Sequence, residues 1–96
     1  AILVYEPIMS QVEKDPEALF KLGILFYNRG QEGDDAKAEM IWKKADELKP
    51  NYSNLLYSLG LLYERNNEME EALLYFKRVQ ELNPDNTDID KKINSL

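Results

Sequence analysis

The chain has 96 residues, enough for one small body with a modest core, since 44% are hydrophobic and ten are aromatic. Its 12 Lys and Arg against 18 Asp and Glu leave a net charge of −6 and a pI near 4.6, the wrong sign for a nucleic-acid or anionic-membrane surface. There is no Cys and no His, which excludes disulfides, thiolate chemistry, imidazole bases and the usual zinc ligands together.

The opening stretch Ala1–Tyr5 is apolar but far shorter than the ~20 residues of a membrane span, and it lacks the basic flank and cleavage pattern of a signal peptide. No targeting segment is therefore expected within this stretch, and a soluble chain, cytoplasmic by default, is expected with its compartment unassigned. Because the chain opens on Ala and not Met, a fragment or a processed form is expected. Ala1, Tyr5 and Ile8 recur at helical spacing, so a helix is expected over 1–14, with Pro7 either bending it or starting it. Asp15-Pro16 then supplies an N-cap acceptor and a proline at the first helical position. From Leu19 to Tyr27 apolar residues occupy nearly the whole circumference, the pattern of a helix buried on several sides.

The glycines and acids of 28–35 read as a loop. After it, Ala38, Ile41, Trp42, Ala45 and Leu48 recur at three and four residues among Lys37, Glu39, Lys43 and Lys44, which describes a surface helix with one buried stripe. Pro50 forbids its continuation. A second densely apolar helix is expected over Leu55–Tyr63 and a second striped one on Ala72, Leu73, Phe76, Val79 and Leu82, closed by Pro84. Thr87 with Asp90 resembles a weak capping box for a last helix running to Leu96. No period-two stretch of useful length competes, so strands are not expected.

These elements repeat. Leu19/Leu56, Leu22/Leu59, Gly23/Gly60 and Phe26/Tyr63 are offset by 37, whereas Ala38/Ala72, Trp42/Phe76, Ala45/Val79, Leu48/Leu82 and Pro50/Pro84 are offset by 34. The difference places three extra residues between Phe26 and Ala38. Ala1, Tyr5 and Ile8 precede Ala38, Trp42 and Ala45 by 37, and Ile93 follows Leu59 by 34, so partial copies flank the two full ones.

A paired-helix unit of this length, with Leu-Gly in the first helix, a small-x3-aromatic-x2-small pattern in the second and a closing proline, resembles the tetratricopeptide repeat. Leu56, Leu59, Gly60, Tyr63, Ala72, Phe76, Leu82 and Pro84 fall at signature positions, with Val79 where the family prefers Ala. Leu19, Leu22, Gly23, Phe26, Ala38, Trp42, Ala45 and Pro50 repeat the match, with the enlarged turn as a departure that is also similar to Sel1-type repeats. The resemblance implies an all-α fold, a right-handed stack of antiparallel helix pairs with about six helices. Its parts would be 1–14 (second helix of a partial repeat), 16–50, 53–84 and 87–96 (an end helix). It also implies that glycines 23 and 60 let helices approach the small faces of Ala38, Ala45 and Ala72, with Trp42 and Phe76 filling the gaps between neighbours.

Chemistry has few candidates. The acids Glu32, Asp34 and Asp35, and again Asp85, Asp88 and Asp90, lack the spacing of a calcium loop and read as solvated turns or helix N-termini. Asn51-Tyr52-Ser53 has the form of a glycosylation acceptor and reads as a turn between repeats. No nucleophile has a base to activate it, so no enzyme, no cofactor and no metal are expected. What remains is the concave surface that the resemblance implies. It would be formed by Glu17, Phe20, Ile24, Tyr27 and Asn28 from the first repeat, and by Asn54, Tyr57, Ser58, Leu61, Glu64 and Arg65 from the second. Asp88, Lys91 and Lys92 of the end helix would extend it.

Ordinary packing is the competing reading of these aromatics. The carboxylate clamp with which co-chaperone members of the family hold chaperone tails is not matched, because Phe20, Ile24, Ser58 and Asp88 stand where it needs Lys and Asn, and only Lys92 fits. The expected partner is a protein or peptide segment with apolar and aromatic residues, not nucleic acid and not a membrane interior. Self-assembly of the chain into homo-oligomers is the alternative.

Overall fold

The computed structural model describes residues 14–96. The helix expected over 1–14, with the kink question at Pro7, falls outside the described residues apart from Lys14. The described part contains five helices and no strand: α1 (Pro16–Arg29), α2 (Asp34–Leu48), α3 (Ser53–Arg65), α4 (Met69–Leu82) and α5 (Thr87–Asn94). They fall into two compact units that divide between Pro50 and Asn51.

In the first unit α1 starts where the sequence places it. Asp15 Oδ1 accepts from the N–H groups of Glu17 at 3.1 Å and Ala18 at 3.2 Å, and Pro16 occupies the first turn, where a missing N–H leaves nothing unpaired. Leu19, Gly23 and Phe26 face α2, which buries Ala38, Ile41, Trp42 and Ala45 in return. The two helices run antiparallel. Lys49, just beyond α2, lies 3.8 Å from Glu17 at the start of α1, and the Lys37 ammonium sits 5.8 Å from the ring centre of Phe26 near its end.

The second unit repeats this pairing. Ser53 at the start of α3 accepts a 3.0 Å hydrogen bond from the amide of Asn83, just past α4, and Tyr63 stacks on Tyr75 at 5.5 Å. Leu55, Leu56, Leu59 and Leu62 are buried in α3, and Ala72, Phe76 and Val79 in α4. Helix α5 closes the unit with Ile89 buried. Its N-cap is Asn86, whose side chain accepts from Asp88 and Ile89, so the cap lies one residue ahead of the expected Thr87.

Three expectations need correction. The groups nearest the two glycines are not the alanines but the aromatic rings of the second helices, which occupy the space above them. A Cβ at Gly23 would lie 2.7 Å from Trp42 Cε2, and one at Gly60 2.7 Å from Phe76 Cδ1, well inside contact distance. Trp42 and Phe76 therefore fill space inside their own helix pairs. The striped helices bury less than expected, since Leu48 and Leu82 are exposed and Leu73 is half-buried. Finally, α1 is buried along one stripe only, because Leu25 is 67% exposed.

The enlarged turn is also shorter than expected, comprising residues 30–33 instead of 28–35. Aligning the units shows where the three extra residues went. One lengthens α1 through Arg29, one lengthens α2 from Asp34, and one enters the loop, whose glycines 30 and 33 both adopt left-handed φ of 63° and 84°. That backbone region is open to Gly at little cost.

Candidate functional site

The expected contact residues divide according to how far packing has already claimed them. In α1, Phe20 and Tyr27 are half-buried against Trp42, with ring centres 6.2 and 5.6 Å away. The Phe20 carbonyl also accepts the indole N–H of Trp42 at 3.0 Å, so this part of the face is anchored to the core it covers. Ile24 is half-buried and Asn28 exposed. In α3, Tyr57 lies 5.5 Å from Phe76 yet remains 38% exposed. Asn54 and Arg65 are exposed and Leu61 is half-buried. The Ser58 hydroxyl is turned back onto the Asn54 carbonyl at 2.9 Å.

Within the second unit an open cleft of ≈ 520 Å³ brings together Asn54 and Tyr57 of α3, Asn83 after α4, and Asn86, Asp88 and Ile89 at the start of α5. Of the contact residues expected in this unit, Ser58, Leu61, Glu64, Arg65, Lys91 and Lys92 do not line it. The contributions of Asn83 and Asn86 were missed by the sequence reading. Both flank Pro84 at a helix boundary and read there only as turn residues. The cleft is lined by the apolar Val79 and Ile89, an aromatic wall, and three side-chain amides, of which Asn83 already donates to Ser53 and Asn86 already accepts from the Asp88 and Ile89 N–H groups, each keeping further hydrogen-bonding capacity. Such a surface can hold an extended backbone by hydrogen bonds while seating one apolar side chain. Asp88 gives it a negative edge. The Lys92 ammonium, the single clamp-type cation, is engaged by Glu64 at 2.6 Å and lies 5.9 Å from the Phe76 ring centre. A free carboxylate would have to displace that ion pair.

The acids of the enlarged turn have a structural assignment. Asp34 is 1% exposed; its two oxygens accept from Arg29 Nε and Nη2 at 2.7 Å each, and Oδ2 also accepts from the Gln31 N–H at 3.0 Å. The bidentate fork suits guanidinium and carboxylate geometry. Hydrogen bonding by Arg29 outweighs the opposing effect of burial and, helped by the Gln31 N–H, holds the Asp34 carboxyl at about 2, against an ordinary 3.8. The pair raises the Arg29 pKa in turn. Both partners are the residues by which the helices of this unit were lengthened, so the insertion carries its own tie.

The sign of the linkage follows. A carboxyl whose folded pKa is depressed contributes stability that is complete above its unfolded pKa and is lost as pH falls toward the folded value. Asp34→Asn is expected to lower the melting temperature at pH 7, and its deficit relative to the unsubstituted chain is expected to shrink between pH 4 and pH 2. Melts followed by circular dichroism across that range test it; a deficit independent of pH would mean that the fork does not form.

Among the described residues no group of three acids could hold a metal ion, and no helix is long and apolar enough to cross a membrane. Two family models match the chain, both described as tetratricopeptide repeat, one over residues 17–48 and the other over 53–86. The first spans α1 and α2, the second spans α3 and α4 with the connection that follows, and together they cover well over half of the chain. The chain belongs to the tetratricopeptide repeat family. Tetratricopeptide repeats are generally protein–protein interaction modules and form a non-catalytic scaffold class. No curated protein matched the chain.

Proposed function

We propose that this tetratricopeptide repeat chain binds an extended or helical segment of a partner protein on the exposed faces of its first helices. The contact residues would be Phe20, Ile24, Tyr27 and Asn28 on α1, and Asn54, Tyr57, Ser58, Leu61 and Arg65 on α3. The observation that carries this reading is Tyr57, which stays 38% exposed on the wall of an amide-lined cleft although it touches the core through Phe76. Aromatic side chains bury much area for little lost rotamer freedom and dominate such contacts. A net charge of −6 and the Asp88 edge favour a segment that is apolar at its centre and neutral or basic at its flanks.

The reading has a direct test. Tyr57→Ala is expected to weaken capture of a cognate segment at least tenfold, about 1.4 kcal/mol, while lowering the melting temperature far less than Trp42→Ala does. Charge reversal at Lys43 and Lys44, exposed on α2, should leave capture intact. Titration of these variants against a segment selected from a peptide display library would decide the matter. Full affinity in Tyr57→Ala, with loss in the α2 variants, would overturn the assignment of the face.

A further inference from the structure

Between α4 and α5 the second unit leaves a groove of ≈ 380 Å³ open, lined by Met69, Leu73, Ile93 and Leu96 together with Glu70 and Lys77. Leu73 and Ile93 are half-buried, and Met69 is 42% exposed. Leu74, next to Leu73 on α4, is 60% exposed. Singly exposed leucines are ordinary, but apolar side chains gathered along one groove mark a contact surface. None of the groove residues lines the Tyr57 cleft.

The charges beside the groove say what fits it. Glu70, Leu73, Leu74 and Lys77 are spaced three, one and three residues apart, so they share one face of α4. The midpoint of this row falls between the two leucines, and its ends carry opposite charges at equal distances from that point. Turned end for end, the row is complementary to itself: Glu70 meets Lys77 and Leu73 meets Leu74. That is the requirement for an isologous contact across a two-fold axis. Within one helix the two charges lie about 10 Å apart along the axis, too far to pair with each other. The first unit does not share the feature. Thirty-four residues earlier the same places hold Ala36, Glu39, Met40 and Lys43, and Glu39 and Lys43 pair within α2 at 3.1 Å. The self-complementary row therefore belongs to α4 and not to the repeat pattern.

We propose that this face of α4 is the interface of a closed homodimer whose occupant is the same face of a second copy of the chain. The two α4 helices run antiparallel across the axis, Glu70 of each copy pairs with Lys77 of the other, and Leu74 of each enters the groove of the other. Exposed ion pairs add little affinity, so the charges set the orientation while the leucines, Met69 and Ile93 supply the hold. The dimer is accordingly concentration-dependent. This goes beyond the partner-binding reading and uses none of its residues, so either can fail without the other.

Charge exchange tests both the occupant and its orientation. Lys77→Glu makes both ends of the row acidic and Glu70→Lys makes both basic. Because the axis doubles every change, each variant replaces two attractive pairs with two repulsive ones. In sedimentation equilibrium at low ionic strength, the unsubstituted chain is expected to pass from monomer to dimer mass as its concentration rises, and to stop there. Each single variant should dimerise at least about tenfold more weakly. Mixed in equal amounts, the two single variants should form a heterodimer, and the double variant carrying both exchanges should dimerise as the unsubstituted chain does. Added salt should weaken the dimer of the unsubstituted chain and strengthen that of each single variant. Leu74→Ser should leave a monomer that is helical by circular dichroism, since the side chain it removes is mostly exposed. A monomer mass at every concentration, equal association by all the charge variants, or failure of the mixture to pair would overturn the proposal. A mass that grows beyond the dimer would overturn it as well, by making the contact open-ended instead of closed.

Discussion

Trp42→Ala is expected to destabilise the first unit by ~3–5 kcal/mol, the usual cost of deleting a large aromatic side chain from a packed core. The indole is 1% exposed, lies over Gly23, and gives its N–H to the Phe20 carbonyl. Its loss opens a cavity that Gly23 has no side chain to fill. Phe20 and Tyr27, whose rings rest on the indole, lose their support at the same time. For a domain of about a hundred residues a change of this size shifts the melting temperature by well over 10 °C. Because repeat units contribute to stability largely by nearest-neighbour terms, the loss should be uneven along the chain. Hydrogen exchange is expected to rise steeply over 16–48 and less over 53–94. Uniform exchange over both stretches, or an unchanged melt, would contradict the placement of the ring.

The contrast between what the sequence made legible and what it hid can be traced to particular residues. Helix positions and the tetratricopeptide pattern were readable because each rests on a local rule: the Asp15-Pro16 cap, the prolines after α2 and α4, and apolar spacing of three and four. The pairing of Gly23 with Trp42 was visible as a repeated pair of residue types, but its geometry was not. Spacing says that a small and a large residue recur, not which partner faces the gap. Asp34 was hidden for a different reason. It stands among Glu32, Gly33 and Asp35, a composition that signals solvent, and its partner Arg29 becomes a neighbour only after two left-handed glycines reverse the chain. Leu25, Leu48 and Leu82 were over-assigned to the core, because periodicity measures where an apolar face points and not whether anything covers it. The cleft suffered most. Asn83 and Asn86 belong to a connection whose residues have turn chemistry of their own, so their convergence on Tyr57 follows from the helix pair and cannot be read from local pattern.

A substitution at Gly60 is expected to have the second largest effect, and its sign can be made diagnostic. Glycine inside a helix is less favourable than alanine by about 0.5–1 kcal/mol, so propensity alone predicts that Gly60→Ala stabilises α3. Packing predicts the reverse. A Cβ at this position would fall 2.7 Å from Phe76 Cδ1 and 2.8 Å from Cζ, and the ring is fully buried with Tyr57 against it. Displacing a ring held in this way is overpacking, at typically 1–3 kcal/mol, which exceeds the propensity gain. Gly60→Ala should therefore destabilise the chain, and Gly60→Leu should do so severely. The interpretation is tested by removing the ring. In a Phe76→Leu background, less stable than the original but with space over the glycine, Gly60→Ala should become neutral or stabilising. Denaturant melts of the four chains would give the coupling between the two sites. A reversal of sign locates the helix contact at this glycine and this ring. If Gly60→Ala stabilised the unsubstituted chain as well, the ring would not be seated against the glycine, and the close approach of α3 and α4 would need another cause.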